Sequence, residues 1–222
     1  MVRRGQPTSP SLRMDNSLIG HPRTQSVRCI VLFGKAGVSG SSVFVVLEGL
    51  HGVGKSEVAR QLADAICADH MPTVAPIFKD VRGLVDRGTS LEWRHAVYAV
   101  AVLDAGWRIR ERLQAGRSVV VESWLYRTMA FHRGMGSDLK LPVDTVELPE
   151  PDWQFLLTCN DSERRRRLDQ RGSSNSAYWL SRAESNSTKI EEQYRSFGLQ
   201  EVDTTGLEID SVVGRLRDRI GR

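Results

Sequence analysis

Eight consecutive residues of this 222-residue chain, Gly49-Leu50-His51-Gly52-Val53-Gly54-Lys55-Ser56, satisfy the pattern G-x-x-x-x-G-K-[ST]. The chemistry that spacing serves is the holding of a polyphosphate. Glycines let successive backbone N–H groups turn inward around an anion, and a helix starting at the loop adds the positive end of its dipole. Lys55 brings a cation to the outer phosphates, and the Ser56 hydroxyl suits a Mg²⁺ ion. The residues expected to hold a nucleoside triphosphate are therefore Gly49, His51, Gly52, Val53, Gly54, Lys55, Ser56 and Glu57, with Lys55 also catalytic. A second glycine-rich stretch, Gly34–Gly40, fails the same test: its lysine precedes the turn, no Lys-Ser follows, and a strand is expected where a helix would be needed. It reads as linker.

The elements that must position the loop follow from the hydrophobic pattern. FVVL (44–47) is an apolar run of the buried parallel-strand kind. After the loop, Val58, Leu62 and Ile66 recur at helical spacing. VAPIF (74–78) predicts a second strand. A long helix is predicted from the capping box Thr89–Glu92 to about Gly116, then strands over 118–123 and 153–159. Asn160 and Glu163 form a second capping box for a helix ending at Gly172. A short strand (199–205) and a closing helix capped by Asp210, with Val213, Leu216 and Ile220 inside, complete the chain. The alternation predicts an α/β fold: a mostly parallel sheet of about five strands with helices on both faces, of the P-loop NTPase kind, with a small lid.

Composition narrows the classes. Hydrophobic residues make up 40% of the chain, enough for a core, and no apolar run reaches the length of a membrane helix. Cys29, Cys67 and Cys159 show no metal-ligand spacing and point to a reducing, cytoplasmic setting. The net charge of +4 suits phosphorylated small molecules; nucleic acid is not expected as a partner, because no aromatics are interleaved with the basic residues. Residues 1–42 carry six Lys/Arg against one acidic residue, without a hydrophobic signal core, and read as a flexible extension or the product of an upstream start codon. The working domain is expected over 43–222.

Residues 43–222 resemble the thymidylate kinase and deoxynucleoside kinase group. FVVLEGLHGVGKS, IRERLQAGRSVVVES (109–123), Ala130-Phe131-His132, NDSERRRRLDQRG, KIEEQY and VDTT follow the order of that group's motifs. The resemblance implies an ATP- and Mg²⁺-dependent small-molecule kinase, pairing of two copies through the helices beside the acceptor site, and a lid over about 164–187. It also implies roles. Glu48 matches the base that deoxynucleoside kinases use on a sugar hydroxyl, although thymidylate kinases carry Glu there without needing one. Arg167 and Arg171, four apart on one helix face, are expected to close over the phosphates, with Arg182 a further candidate. Glu122, ending the strand beside the loop strand, is expected to serve Mg²⁺ together with Ser56 and to face the acceptor.

The departures are as telling. His51 stands where thymidylate kinases have Asp, and Ser123 where the group has an arginine, leaving Arg127 or Arg133 to substitute. The Arg-Glu-Pro motif reads as Lys79-Asp80-Val81, with Lys79 assigned to the acceptor. His132 replaces a glutamine at the base edge. Phe131 and Trp124 suit an aromatic acceptor wall, with core packing as the alternative, and Tyr98 reads as core. Counting back from Glu122 puts the base-reading arginine on Val102. That loss predicts an acceptor other than thymidylate: another nucleotide, or a nucleoside or other alcohol with Glu48 as base. A nucleotide-binding regulatory protein without turnover is the reading from a different class.

Overall fold

The computed structural model describes residues 42–140, 147–170 and 177–222. Strand β1 (Phe44–Glu48) is wholly buried and leads into helix α1 (Lys55–Ala65). Then come β2 (Asp69–Pro72), a single 3₁₀ turn (Pro76–Phe78), α2 (Lys79–Arg87) and the long α3 (Leu91–Gln114). β3 (Val119–Glu122), α4 (Leu125–Gly134), β4 (Trp153–Thr158), α5 (Asp161–Gln170), α6 (Ala177–Ser185) and α7 (Ser187–Ser196) follow. β5 (Gln200–Asp203) and α8 (Ile209–Ile220) close the chain. Among the described residues the five strands form one parallel sheet in the order β2-β3-β1-β4-β5. No described helix is long and apolar enough to cross a membrane.

The loop strand β1 lies at the centre, as an all-apolar strand buried on both faces requires. Alternate residues feed two cores. Val45 and Leu47 join Leu62, Phe155, Tyr194 and Leu216 on one face. Phe44 and Val46 join Val102, Ile109, Val121 and Trp124 under α3 on the other.

Three local expectations are corrected. The second strand is not 74–78 but Asp69–Pro72, an edge strand whose buried residue is Met71. Its polar pattern carries little periodic signal, and an edge strand needs only one apolar side. Pro76 begins the 3₁₀ turn, where its missing N–H costs nothing. Ser90 rather than Thr89 caps α3, its hydroxyl accepting from the Trp93 N–H at 3.2 Å. Glu208 rather than Asp210 stands at the N-cap of α8, with Asp210 inside the first turn. The cap at Asn160 is as predicted, its side chain accepting from the Glu163 N–H at 2.8 Å. Gly34–Gly40, residues 1–41 and Cys29 lie outside the described residues.

Candidate active site

The loop between β1 and α1 has the shape its glycines predict. Gly52 and Gly54 adopt φ of 86° and 95°, a conformation that costs an L-residue about 1–2 kcal/mol. At Gly52 there is also no room, since a Cβ would lie 2.8 Å from the Arg164 carbonyl oxygen of α5. The lysine arrives with α1 and folds back over the loop, its Nζ donating to the Leu50 carbonyl at 2.6 Å. Arg164, 1% exposed, braces the loop from outside: it pairs with Glu184 of α6 at 2.7 Å and with Asp161.

Ser56 and Glu122 meet because β3 lies beside β1, with Leu47 opposite Glu122. The Ser56 hydroxyl donates to Glu122 Oε1 at 3.1 Å, while Glu122 Oε2 has no hydrogen-bond partner. A hydroxyl and a half-satisfied carboxylate beside a phosphate cradle are a fitting donor set for Mg²⁺.

After Glu122 the chain turns sharply, with Ser123 at φ 60°. One helical turn later Arg127 enters a cavity of about 240 Å³ that also takes in His51, Gly52, Gly54, Lys55, Ser56, Glu122 and Phe131. Its guanidinium lies 3.5 Å over the Phe131 ring and donates to His51 Nε2 at 2.9 Å. Of the two predicted substitutes for the missing arginine at 123, the cavity holds Arg127; Arg133 is exposed on α4. Burial, and then the cations Arg127 and Lys55, hold the His51 imidazole well below its usual pKa. It is neutral, with Nδ1 carrying the proton.

Glu48 lies beneath this group, 0% exposed, and does not line the cavity. One oxygen accepts the Trp124 N–H at 3.1 Å, and burial raises the carboxyl to about 7, against the opposing pull of Arg127. From the foot of α4 it braces the turn into Arg127, and its second oxygen has no hydrogen-bond partner.

Away from the loop, the same cavity is lined by residues outside the expected acceptor set. Arg94, 9% exposed, comes from α3 and donates to Asp86 of α2 at 3.0 Å, to the Tyr98 hydroxyl at 3.3 Å and to His132 Nε2 at 3.1 Å. Five guanidinium N–H groups with three engaged leave two for a ligand. The rings of Tyr98 and Trp179 lie 4.4 and 5.0 Å from its central carbon. Arg82, Thr73 and Leu180 complete this end. Arg94 and Tyr98 are four apart on one helix face, the one sequence signal that could have found them.

Several predicted acceptor residues are reassigned. Trp124 is not a wall of the cavity: it packs edge-on against Phe44 at 5.2 Å in the core under α3. Val102 lies in the same core, so its identity leaves no gap in the cavity. His132, 1% exposed, stands behind Arg94; its Nδ1–H donates to the Thr128 carbonyl at 2.7 Å, and it stacks on His95 at 4.4 Å. Burial and then Arg94 keep it well below the usual histidine pKa, hence neutral and accepting. Lys79 is exposed at the start of α2 and does not line the cavity, because the segment after β2 is Thr73-Val74-Ala75-Pro76. Tyr98, predicted as core, lines the cavity, and so does Phe131.

A second hollow adjoins the loop at Gly54 and is lined by Val53, Glu57, Glu163, Arg167, Thr204 and Glu208 among others. Arg167 reaches it from α5, bonded to Glu163 at 2.9 Å and to the Thr204 carbonyl at 3.2 Å. Arg171 lies outside the described residues. Arg182 donates to the Met135 carbonyl at 3.3 Å and does not line the main cavity.

Comparison with known proteins agrees with this geometry. The thymidylate kinase family model matches residues 47–209. A "Probable thymidylate kinase" of Thermococcus kodakarensis is 30% identical over 150 residues, spanning 58% of this chain and 72% of that protein. One of Pyrococcus horikoshii is 28% identical over 145 residues, 58% and 71% of the two chains. Among solved structures, the thymidylate kinase of Candida albicans superposes with a TM-score of 0.65 at 19% identity, covering 82% of this chain and 92% of that one. That of Ehrlichia chaffeensis gives 0.60 at 16%, covering 82% and 100%. The chain belongs to the thymidylate kinase family, and is an ATP- and Mg²⁺-dependent phosphotransferase that acts on a nucleotide.

Proposed function

We propose that the acceptor is a pyrimidine nucleoside monophosphate, thymidylate first among them, and that it lies in the main cavity with its base toward Arg94 and its phosphate toward Arg127. One observation carries this reading. A single cavity is lined by Lys55, Ser56, Glu122 and Arg127 and also by Arg94 and Asp86, which offer donors and an acceptor beside the Tyr98 ring. A base with adjacent carbonyl and N–H groups pairs with such a donor–acceptor edge. With Arg94 in place, the absence of an arginine at 102 no longer argues against thymidylate, and the named relatives favour it.

The residues divide the work accordingly. The loop N–H groups and Lys55 hold the donor's phosphates, and the hollow beside Gly54, Arg167 and Thr204 takes its nucleoside. Ser56 and Glu122 would hold Mg²⁺, which when bound offsets charge on the transferring group. Arg127 faces the acceptor phosphate, which is already ionised and needs no base. Residues 164–187, of which 171–176 lie outside the described residues, act as a lid with the Arg164–Glu184 pair joining its two described parts, and 43–222 make up the catalytic unit, working in the cytoplasm. Two copies pair through α3, where Trp93, Val100 and Trp107 stand exposed at seven-residue spacing; Val100→Glu should convert a dimer to a monomer in analytical ultracentrifugation.

The deciding experiment measures ADP release from Mg-ATP with thymidylate, other nucleoside monophosphates and thymidine, with Lys55→Ala as control. Thymidylate-dependent release in the wild type alone is expected. Equal turnover of thymidine, or none with any monophosphate, overturns the assignment.

A further inference from the structure

Two positions depart from the pattern of this group in ways that look unrelated in sequence: His51 in the phosphate loop and Ser123 at the end of β3. In the structure they meet through a third residue. Ser123 contributes no cation, and its left-handed turn sends the chain directly into α4. The charge that faces the cavity here comes from Arg127, whose guanidinium lies over Phe131 and donates to His51 Nε2 at 2.9 Å. His51 in turn lies edge-on to the same Phe131 ring at 5.2 Å. Phe131 and His51 therefore fix the guanidinium from its face and from its edge.

We infer that His51 is a positioning residue: as a neutral acceptor in the phosphate loop it holds Arg127 where the acceptor phosphate must lie, and so replaces an arginine at position 123. As an account of phosphoryl transfer, this rests on the phosphate-acceptor function proposed above.

The chemistry explains why an imidazole serves and a carboxylate does not. An aspartate at 51 would also accept from Arg127, but it would cancel the charge that must attract a phosphate. A neutral imidazole orients the guanidinium and leaves its charge uncompensated at that contact. Burial first, and then the cations that face it, keep His51 neutral: Arg127 from α4, Lys55 from α1, Arg94 from α3 and Arg164 from α5. Glu48, buried under the turn, is the carboxyl group that acts on Arg127. Tyr194 of α7, also against Arg127, bonds the Gly49 carbonyl at 3.3 Å, tying the same arginine to the base of the loop. Because the holder belongs to the loop itself, the donor cradle and the acceptor clamp form one rigid unit.

The test is a mutant cycle with Mg-ATP and thymidylate, with melting temperature checked for each variant. His51→Ala should slow turnover about 10- to 100-fold through misplacement of the guanidinium, with the Kd for ATP changed by less than about twofold. His51→Gln, which can still accept, should recover most of that loss. His51→Asp should raise the acceptor KM more than it lowers kcat. The double variant His51→Ala/Arg127→Met should be no slower than Arg127→Met alone. Multiplicative losses in the double variant, or a fully active His51→Ala, overturn the inference. Independently, ¹⁵N NMR of labelled histidine should show His51 as the neutral Nδ1–H form, with its Nε2 signal moved by Arg127→Met. A signal that does not move refutes the pairing. Wild-type inactivity with every monophosphate would instead refute the proposed function, while the NMR result still decides the pairing.

Discussion

The proposed donor and acceptor ends of the cavity are built in opposite ways. The donor end is eight residues in a row, with its backbone N–H groups directed by glycines and by the start of α1. The acceptor end gathers side chains from the segment after β2, from α2, α3, α4 and α6: Thr73, Asp86, Arg94, Arg127 and Trp179. A backbone site needs a local pattern and carries it wherever that pattern occurs. A side-chain site can be rebuilt from new positions, provided that the charges arrive at the same place.

The donor end is most sensitive at Lys55. Lys55→Ala should lower kcat by about 100- to 1,000-fold, as loss of one preorganised charge at the transferring group does; steady-state ADP release reads it. A loss below about tenfold would mean that the donor end tolerates side-chain rebuilding as well.

Glu48, under the junction of the two ends, tests whether the brace is strained. Its carboxyl is raised from 4.5 to about 7, so the folded chain holds that proton more tightly than the unfolded chain. The stabilisation is complete below pH 4.5 and is lost as the pH rises through 7. Glu48→Gln should therefore gain on the wild type between pH 4.5 and 7, by at most about 3 kcal/mol, and keep a constant margin above that. Urea unfolding across this range measures it, and the difference between the two proteins removes the opposing contribution of the buried histidines, whose pKa values are lowered. A pH-independent margin would show that the carboxyl does not titrate there.

At the acceptor end, Arg94→Met should raise the thymidylate KM by roughly 5- to 150-fold, the effect of leaving a base carbonyl unpaired, and leave the ATP Kd nearly unchanged. An equal loss in both would show that the two ends are not separable. The smallest effect is expected at Ser123, whose φ of 60° strains an L-residue. Ser123→Gly should gain roughly 0.5–1 kcal/mol in thermal unfolding, the left-handed strain being partly offset by glycine's entropy; a loss would mean that the hydroxyl contributes more than the strain costs.

Much of the fold was legible because its signals are local. The apolar runs at 44–47 and 118–123, the cap at Asn160 and the stripe Val58–Leu62 identify themselves without neighbours. β2 was misplaced because Asp69–Pro72 has a single buried side chain, and the apolar content of 74–78 outweighed its proline. In the site, His132 and Trp124 have residue types suited to a ligand, yet one stands behind Arg94 and the other packs on Phe44. Residue type alone does not distinguish a cavity wall from the layer behind it.

The donor loop is legible in the residues alone: G-x-x-x-x-G-K-S between a buried strand and a helix encodes its own geometry, since glycine φ, helix dipole and lysine reach are properties of adjacent residues. The proposed acceptor end takes shape only in the fold. Arg94 and Asp86 come from different helices, and Arg127 and His51 lie 76 positions apart. Their meeting depends on the placement of β3 beside β1 and of α3 and α4 over the cavity. No local pattern specifies that arrangement, because it is set by the burial of residues that never touch the ligand.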